Sequence, residues 1–532
     1  MTLRPRPEVD ALPAYVLGRF AQAAMDDHDL DKAIKLASNE SSFGPLPSAA
    51  KAMESALDGT NRYPDNRATA VRDALADRLG TTADRVTLGC GSVGLIEQIC
   101  NAYAGPGDEV VFGKPSFEAY PYLAHLAGAA ANEVPLRRQT IDVDATIAAL
   151  NERTRLVLLA TPNNPTGTAL RSDDLIRIAD ATPQSCLLVV DAAYQEFVTA
   201  PDVPDPIELF SDRPNVAILR TFSKAYGLAA LRIGWMYGPP EVIATVDKVR
   251  LPFSVNAVAQ AAAVASLDAH DEMASRVSSV VSERQRVTRH VRDLGYMVPS
   301  PQGNFIWLPA AESAADLAVA LEKKGVVTRG FAGVGVRVTI GSPEENDAFL
   351  AAFEPAAREI DLPPNWELPT GETALAANDW LRRLNSAEAR LIEQAAKSHR
   401  GLTEPDPGGD ERWEPGEVWG HLAEFGDYWL VELDRVLEGQ PKQPFGRTKA
   451  DEARRAAVAA GPRSAVAEHL DRCRRAIDRL RARLCELTTT DWAKVGTHST
   501  LGEMDIAKQL QHFHIGHYEE HLDQLDQLAA NQ

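Results

Sequence analysis

An α/β fold followed by an all-α bundle is predicted for this chain, on three observations. Apolar strand-like runs alternate with amphipathic helical patterns from about residue 30 to 355. A proline-rich joint, Leu362-Pro-Pro-Asn-Trp-Glu-Leu-Pro-Thr370, then interrupts the pattern. Beyond it strand signals almost vanish and long amphipathic patterns take over. Alternation of the first kind implies a mostly parallel sheet, and several amphipathic helices in sequence imply a bundle.

In order along the first part, the strand runs are Glu109–Phe112, Leu156–Ala160, Cys186–Asp191 and Val216–Leu219. They are continuously apolar, as strands covered on both faces are. Ser172–Ala181 reads as a helix between two of them, with Ser172 as its expected cap. The domain boundaries follow as 1–360, a linker 361–372, and 373–532. The second part carries helical patterns over Thr373–His399, Pro415–Leu437, Ser464–Leu487 and Leu501–Leu528. It also holds eight of the chain's 12 histidines: His399, His421, His469, His498, His512, His514, His517 and His521. A concentration of that kind asks for a chemical explanation.

The 532 residues are enough for more than one core. A net charge of -20 repels phosphate backbones and anionic lipid surfaces, so neither nucleic acid nor membrane is an expected partner. The five cysteines are scattered and form no CxxC, which implies a reducing compartment without a disulfide framework. Met1-Thr-Leu-Arg-Pro-Arg-Pro-Glu8 lacks the apolar core of a signal peptide. The apolar stretch Ala257–Leu267 is too short to span a bilayer. A cytoplasmic location is expected.

The densest chemical signal is Arg220-Thr-Phe-Ser-Lys-Ala-Tyr-Gly-Leu-Ala-Ala-Leu-Arg-Ile-Gly-Trp235. It places Lys224 just after an apolar strand, beside Ser223, Arg232 and a glycine turn. A lysine amine tucked among other cations loses its proton and can form a Schiff base with an aldehyde. Ser223 and Arg232 suit an oxyanion such as a phosphate, so the set reads as an anchor for pyridoxal phosphate. Asp191, in Asp191-Ala-Ala-Tyr194, also ends a strand, and a carboxylate there can pair with a pyridine nitrogen. The Tyr194 hydroxyl and Asn164, in Thr161-Pro-Asn-Asn-Pro-Thr-Gly167, can reach the ring oxygen. Gly89-Cys-Gly-Ser-Val-Gly94 precedes a helical stretch whose first N–H groups would bind phosphate. Phe117 is placed to stack on the ring. Taken singly, these segments read as a strand end, a turn, a helix cap and a core ring; in this order they converge on one cofactor.

The order resembles that of fold-type I pyridoxal-phosphate aminotransferases, with a large mixed, mostly parallel sheet domain and a small α+β domain. More narrowly, roughly residues 8–356 resemble the histidinol-phosphate aminotransferase family and its aromatic-amino-acid branch. Lys35-Leu-Ala-Ser-Asn-Glu40, Asn61-Arg-Tyr-Pro-Asp65 and Arg337-Val-Thr-Ile-Gly341 extend the match. The resemblance implies that Lys224 binds the cofactor and shuttles the substrate proton. It implies that Asp191, Tyr194 and Asn164 hold the ring, and that Gly91, Ser92, Val93, Ser223 and Arg232 hold the phosphate. Tyr63 would reach the phosphate of a partner subunit, making a homodimer. Arg337 would clamp the substrate anion, with Tyr15 and Asn39 in the substrate pocket. Thr161, Ala192 and Ala230 depart from the family's usual residues without removing a group that does chemistry.

Ser38-Asn-Glu-Ser-Ser-Phe-Gly-Pro-Leu-Pro47 resembles the aromatic branch more than the histidinol-phosphate branch. The expected reaction therefore exchanges an amino group between an aromatic amino acid and 2-oxoglutarate. Histidinol phosphate as donor, and a pyridoxal-phosphate lyase, are the competing readings.

In the second part, His517 and His521 are four apart on one predicted helix, expected to open with a capping box at Thr500-Leu-Gly-Glu503. That spacing puts both imidazoles on one face. His421 is the candidate third ligand from another helix, completing an open site for Zn, Ni or Fe. His514 falls on the same predicted face, and solvated helix histidines are common, so residue type leaves the ligand set open. About residues 373–530 resemble the DinB-like four-helix bundle family, through Trp413-Glu-Pro-Gly-Glu-Val-Trp-Gly-His-Leu422 and Gly516-His-Tyr-Glu-Glu-His-Leu-Asp-Gln-Leu525. That pattern implies His421, His517 and His521 as ligands. Members include thiol-dependent transferases and isomerases, and an assembly role for the tail is the other reading.

Overall fold

A computed structural model describes residues 9, 12, 19–363, 372–404, 411–439, 444–447, 451–487 and 489–530. The chain divides into two units, Met1–Pro364 and Asn365–Gln532. Most of the expected linker, and Tyr15, lie outside the described residues.

The strands are β1 (Ile34–Lys35), β2 (Val86–Cys90), β3 (Glu109–Lys114), β4 (Ala130–Pro135), β5 (Thr154–Ala160), β6 (Leu187–Asp191), β7 (Val216–Thr221), β8 (Ile233–Tyr237), β9 (Phe305–Leu308), β10 (Val326–Val327), β11 (Arg329–Phe331), β12 (Gly335–Thr339), β13 (Val495–His498) and β14 (Gly502–Asp505). In the first unit seven of them form one sheet in the order β2-β8-β7-β6-β5-β3-β4. All neighbours are parallel except β8, which runs against both β2 and β7. The sheet is mixed and mostly parallel, and β5, β6 and β7 are buried almost throughout. Strands that are apolar on both faces need helices on both sides, and the sequence between them supplies these. Helices α1 (Gly91–Tyr103) and α2 (Ala119–Leu126) contribute Leu95, Ile96, Ile99, Tyr120 and Leu123 to the core beside Leu156, Leu158 and Val189. A smaller antiparallel sheet, β11-β12-β9, and the parallel pair β1-β10 complete the α+β part.

The helix over Ser172–Ala181 forms as expected, but Ser172 does not cap it. Arg171 occupies the cap position, and the Ser172 hydroxyl points to the Asp202 carbonyl instead. Two acidic residues in the first turn, Asp173 and Asp174, favour that helix start in place of a side-chain cap.

In the second unit, helices α3 (Glu372–Ala395), α4 (Pro415–Leu437), α5 (Glu452–Ala460), α6 (Val466–Glu486), α7 (Ile506–Phe513) and α8 (Ile515–Ala530) are present. Four of them close a ring, with α3 against α6 and α8, and α4 against α6 and α8. Trp419, Leu422, Phe425, Ile477, Tyr518 and Leu522 fill the space between. The Arg481 guanidinium lies 2.6 Å from the Glu388 carboxylate, with both side chains buried, so α6 and α3 carry a paired charge where an unpaired one would be costly.

The single helix expected over Leu501–Leu528 is wrong at its start and in its middle. Thr500–Glu503 belong to a β-hairpin, with His498 paired to Gly502, which has φ 77°. The real cap is Asp505, whose carboxylate accepts from the Lys508 N–H at 2.8 Å. The helix then breaks at His514 (φ −132°, ψ −95°), and Gly516 packs where a Cβ would collide with the Gln511 carbonyl. His514 is therefore a buried junction residue and does not share a continuous helical face with His517.

Candidate functional site

The first unit holds a cavity of about 300 Å³ at the C-terminal ends of the parallel strands. This is where an open α/β sheet offers side chains and helix N-termini to a ligand. β5 delivers Asn164 just past its end, β6 ends on Asp191, and Ser223 and Lys224 follow β7. All four line the cavity, with Asn39, Ser92, Val93, Phe117, Tyr194, Arg232 and Arg337. Gly91, the first residue of α1, lies behind this wall with φ 71°, and a Cβ on it would strike the Arg232 guanidinium. Gly234 on β8 faces the Ser92 N–H so closely that no side chain fits between them. The two glycines let the start of α1 sit against Arg232, whose carbonyl accepts from the Gly91 N–H at 3.0 Å.

Two ionisable groups in this cavity are displaced from their usual behaviour. Burial lowers the Lys224 amine to about 7, with the Arg337 charge adding to the effect. Its Nζ donates to the carbonyls of Ser38 and Asn39 at 3.2 and 3.0 Å. Burial raises the Asp191 carboxyl to about 6, partly opposed by a hydrogen bond from Tyr120. The Tyr120 hydroxyl donates to Asp191 Oδ2 at 2.8 Å, while the buried Oδ1 has no hydrogen-bond partner among the described residues. Asn39 donates to the Tyr194 hydroxyl at 3.0 Å and accepts from the Thr339 hydroxyl at 3.1 Å. Arg337 donates to Asn164 Oδ1, and to the Ala37 carbonyl at 2.6 Å. The arrangement offers an amine that releases its proton near neutrality, an acceptor without a partner among the described residues, and an anion cradle made of a helix N-terminus, Ser223 and Arg232.

Residues 31–353 match the aminotransferase class I and II family. The chain belongs to that family. Among its relatives, the aromatic amino acid aminotransferase of Thermobifida fusca (strain YX) is 50% identical over 345 residues, covering 65% of this chain and 95% of the relative. The aromatic amino acid aminotransferase of Mycobacterium marinum is 46% identical over 356 residues, covering 66% and 96%. Histidinol-phosphate aminotransferase from Sinorhizobium meliloti, solved with pyridoxal-5'-phosphate, superposes with a TM-score of 0.63 at 31% identity, covering 68% of this chain and 99% of that one. The chain is a pyridoxal-phosphate-dependent aminotransferase with the fold-type I architecture. The tail is a DinB-superfamily domain, matched over residues 378–525.

Against this family background, Tyr63 stands apart from its own chain's cavity. It is 83% exposed and stacks on Phe253, ring centroids 4.7 Å apart. Sequence reasoning missed Tyr120, Glu118 and Arg329. Tyr120 lies in the first turn of α2, three residues past Phe117, which precedes the helix, and no local pattern marks its hydroxyl for Asp191. The pairing of Glu118 with Arg329 spans 211 residues and has no local signal.

In the tail, His421 on α4 meets His517 and His521 on α8, and one nitrogen from each lies within 4.8 Å of the others. His421 Nε2 is 3.0 Å from His517 Nε2, which is 3.1 Å from His521 Nε2. Burial and the two neighbouring imidazoles hold His421 well below the usual histidine range. Trp413 stacks on His521 at 5.5 Å and meets His421 edge-on at 5.0 Å, closing one side. The Nδ1 of His521 is 2.7 Å from Gln524 Oε1, a contact that fixes the ring's orientation. His514 is absent from the cluster. Among the described residues, no helix is long and apolar enough to cross a membrane.

The shifted lysine predicts a pH-dependent cost in the cofactor-stripped protein. Folded Lys224 releases its proton near 7, whereas the unfolded side chain keeps it to about 10.5. Between these limits the unfolded chain binds more protons, so stability rises with pH across the window, and below it the full cost of a buried ammonium remains. The Lys224→Met apoprotein should melt above wild type near pH 6, with the gap shrinking toward pH 9 to 10. A gap constant with pH, read by thermal denaturation, contradicts a desolvated amine.

Proposed function

We propose that this aminotransferase exchanges an amino group between an aromatic amino acid and 2-oxoglutarate. The observation that carries the reading is the cavity's pairing of a depressed lysine with an unpartnered buried carboxylate oxygen. The curated relatives named for aromatic substrates supply the donor class.

The residues present fit pyridoxal phosphate. Asp191 Oδ1 is the orphaned acceptor that a protonated pyridine nitrogen satisfies. The N–H groups of Gly91, Ser92 and Val93 at the start of α1, with Ser223 and Arg232, suit its phosphate. Phe117, on the cavity wall, would cover the ring. Bound there, the cofactor supplies an aldehyde for amine exchange and a ring that takes up the electron pair released at the substrate Cα.

The chain's own residues do the rest. Lys224 Nζ would anchor the cofactor's aldehyde until the substrate amine takes its place, and the freed amine, a base near neutrality, would then take up the substrate Cα proton. Asp191 keeps the ring nitrogen protonated, and Tyr120 holds Asp191 in place. Asn39 donates to the Tyr194 oxygen, so the phenol proton is left for the cofactor's ring oxygen, which Asn164 would also hold. Arg337, which donates to Asn164 Oδ1, is the guanidinium that would meet the substrate carboxylate bidentately. Asn39 lines the substrate side of the cavity.

The exposed Tyr63 supports a homodimer in which each subunit's tyrosine reaches the other's phosphate site. In the tail, we infer a divalent Zn, Ni or Fe held by His421, His517 and His521. Metal–nitrogen bonds of about 2.0–2.1 Å at tetrahedral angles put ligand nitrogens roughly 3.3 Å apart, close to the 3.0 and 3.1 Å separations here.

An absorbance-monitored half-reaction with phenylalanine, tyrosine, tryptophan, glutamate and histidinol phosphate tests the substrate reading. The aromatic donors should exceed histidinol phosphate in kcat/KM by at least about tenfold, or 1.4 kcal/mol of barrier; the reverse order refutes it. Loss of all cofactor bleaching in Lys224→Ala is the accompanying control.

Mixing inactive Lys224→Ala with crippled Tyr63→Phe subunits tests the shared site. Once exchange is demonstrated, one hybrid site carries both defects and the other neither, so activity should rise. No rise rejects the arrangement.

Metal analysis of the purified full chain should find one equivalent in the tail, lost in His421→Ala, His517→Ala and His521→Ala and kept in His514→Ala. Retention in His517→Ala with loss in His514→Ala moves the ligand set by a turn and overturns the assignment.

A further inference from the structure

Asn39 lines the cavity in a backbone conformation that few side chains accept. It is buried and has φ 52°, in the left-handed region that asparagine tolerates better than most residues. A residue keeps such a conformation only where its surroundings fix it. Here they do. The Asn39 N–H donates to the Thr339 hydroxyl at 2.9 Å, and that hydroxyl donates back to Asn39 Oδ1 at 3.1 Å. Asn304 Nδ2 donates to the Asn39 carbonyl at 3.2 Å, and Asn39 Nδ2 donates to the Tyr194 hydroxyl at 3.0 Å. In an extended residue the carbonyls before and after it point to opposite sides. At Asn39 they converge: Lys224 Nζ donates to the Ser38 carbonyl at 3.2 Å and to the Asn39 carbonyl at 3.0 Å. A neutral amine has two hydrogens and one lone pair. With both hydrogens taken by carbonyls, the lone pair is left for the cavity that Lys224 lines.

We propose that Asn39 is a positioning residue: its left-handed backbone makes a clamp of two consecutive carbonyls that holds the freed Lys224 amine and aims its lone pair at the substrate Cα. This rests on the reading of Lys224 as the base and deepens it. The clamp matters in the interval when the substrate amine has taken the cofactor's aldehyde and Lys224 is released. A lysine side chain has four rotatable bonds, and an unheld amine would sample many directions in the cavity. Held by two carbonyls, it keeps both of its own hydrogens turned away from the substrate. When the Cα–H bond breaks, the electron pair stays with the substrate and cofactor, and the proton joins the lone pair as the third hydrogen of an ammonium. Displacing a reacting group by about 1 Å can cost on the order of a hundredfold in rate. The strain at Asn39 is thus spent on orientation, and the Asn39 side chain ties the same turn to Tyr194.

The test compares Asn39→Gly with Asn39→Ala and Asn39→Ser. All three lose the amide that reaches Tyr194, but only glycine accepts a positive φ freely, so the difference between Gly and the other two isolates the backbone. In the holoenzyme, single-turnover half-reactions are run with phenylalanine and with glutamate, each with hydrogen or deuterium on Cα. The rate constant in the Ala and Ser variants should fall at least about tenfold below that of the Gly variant, with a larger isotope effect. In the cofactor-stripped full chain, acetylation of Lys224 is followed against pH by peptide mass. Carbonyl acceptors favour the ammonium, so the midpoint should drop in Ala and Ser and stay near wild type in Gly. Arg337, Glu40, Arg232 and Asp191, the charged groups that act on this amine, are unchanged in every variant. Equal rates in Gly and in the Ala or Ser variants, or one midpoint shared by all four proteins, overturns the proposal. Cofactor bleaching that persists in Lys224→Ala is a separate failure, that of the lysine's assignment as base.

Discussion

A lysine amine and an aspartate carboxyl taken out of water in one cavity are each pushed toward the neutral form, and the chemistry of the first unit depends on that displacement. Lys224 falls to about 7 and Asp191 rises to about 6 because burial penalises both charges. The sheet order makes this possible. β5, β6 and β7 are consecutive parallel neighbours, with Ala160 level with Asp191 and Asp191 level with Leu219. Their C-terminal ends therefore open at one height, and the residues just past each end share one cavity. β8, running the other way between β7 and β2, lets the β2 end carry the start of α1 into the same space. A positive helix terminus, an amine and a carboxyl then meet with no loop having to travel far.

The parts of this site that follow a strand were legible in the sequence, because an apolar run with a polar or glycine-rich end states both the element and the position of its last residue. Lys224, Asp191, Asn164 and Ser92 are of this kind. Contacts between remote segments left no such trace. Tyr120 holds Asp191 across 71 residues, and Glu118 meets Arg329 across 211. No periodicity records them, since they depend on how α2 and β11 are carried to the cavity by the rest of the fold.

The misread final helix shows a different limit. Thr500 to Glu503 satisfies the residue types of a capping box, yet Thr500 and Leu501 lie in a hairpin turn and Gly502, with a positive φ, opens the returning strand β14. Met504, Ile506 and Leu510 are all buried, one on β14 and two on α7. A strand that runs directly into a helix presents apolar residues at spacings a continuous helix also produces, so the pattern alone merges the two. The break at His514 is hidden for the same reason. A buried histidine at a helix junction looks, in sequence, like one more histidine on a face.

That break matters for the tail's histidines. Starting α8 at Ile515 sets the phase of the helix so that His517 and His521 turn toward α4, where His421 and Phe425 face them. Phe425 lies edge-on to His517 at 4.6 Å, and Trp413 covers His521, so the imidazoles are held between aromatic walls. Rings gripped in this way have little rotational freedom left. The separations of 3.0 and 3.1 Å between their nitrogens thus follow from the packing of the bundle. Burial and its two neighbours hold His421 well below the usual histidine range, so its ring resists a proton. A cation bound there, as proposed above, would serve all three rings, where a hydrogen bond serves only one pair at a time.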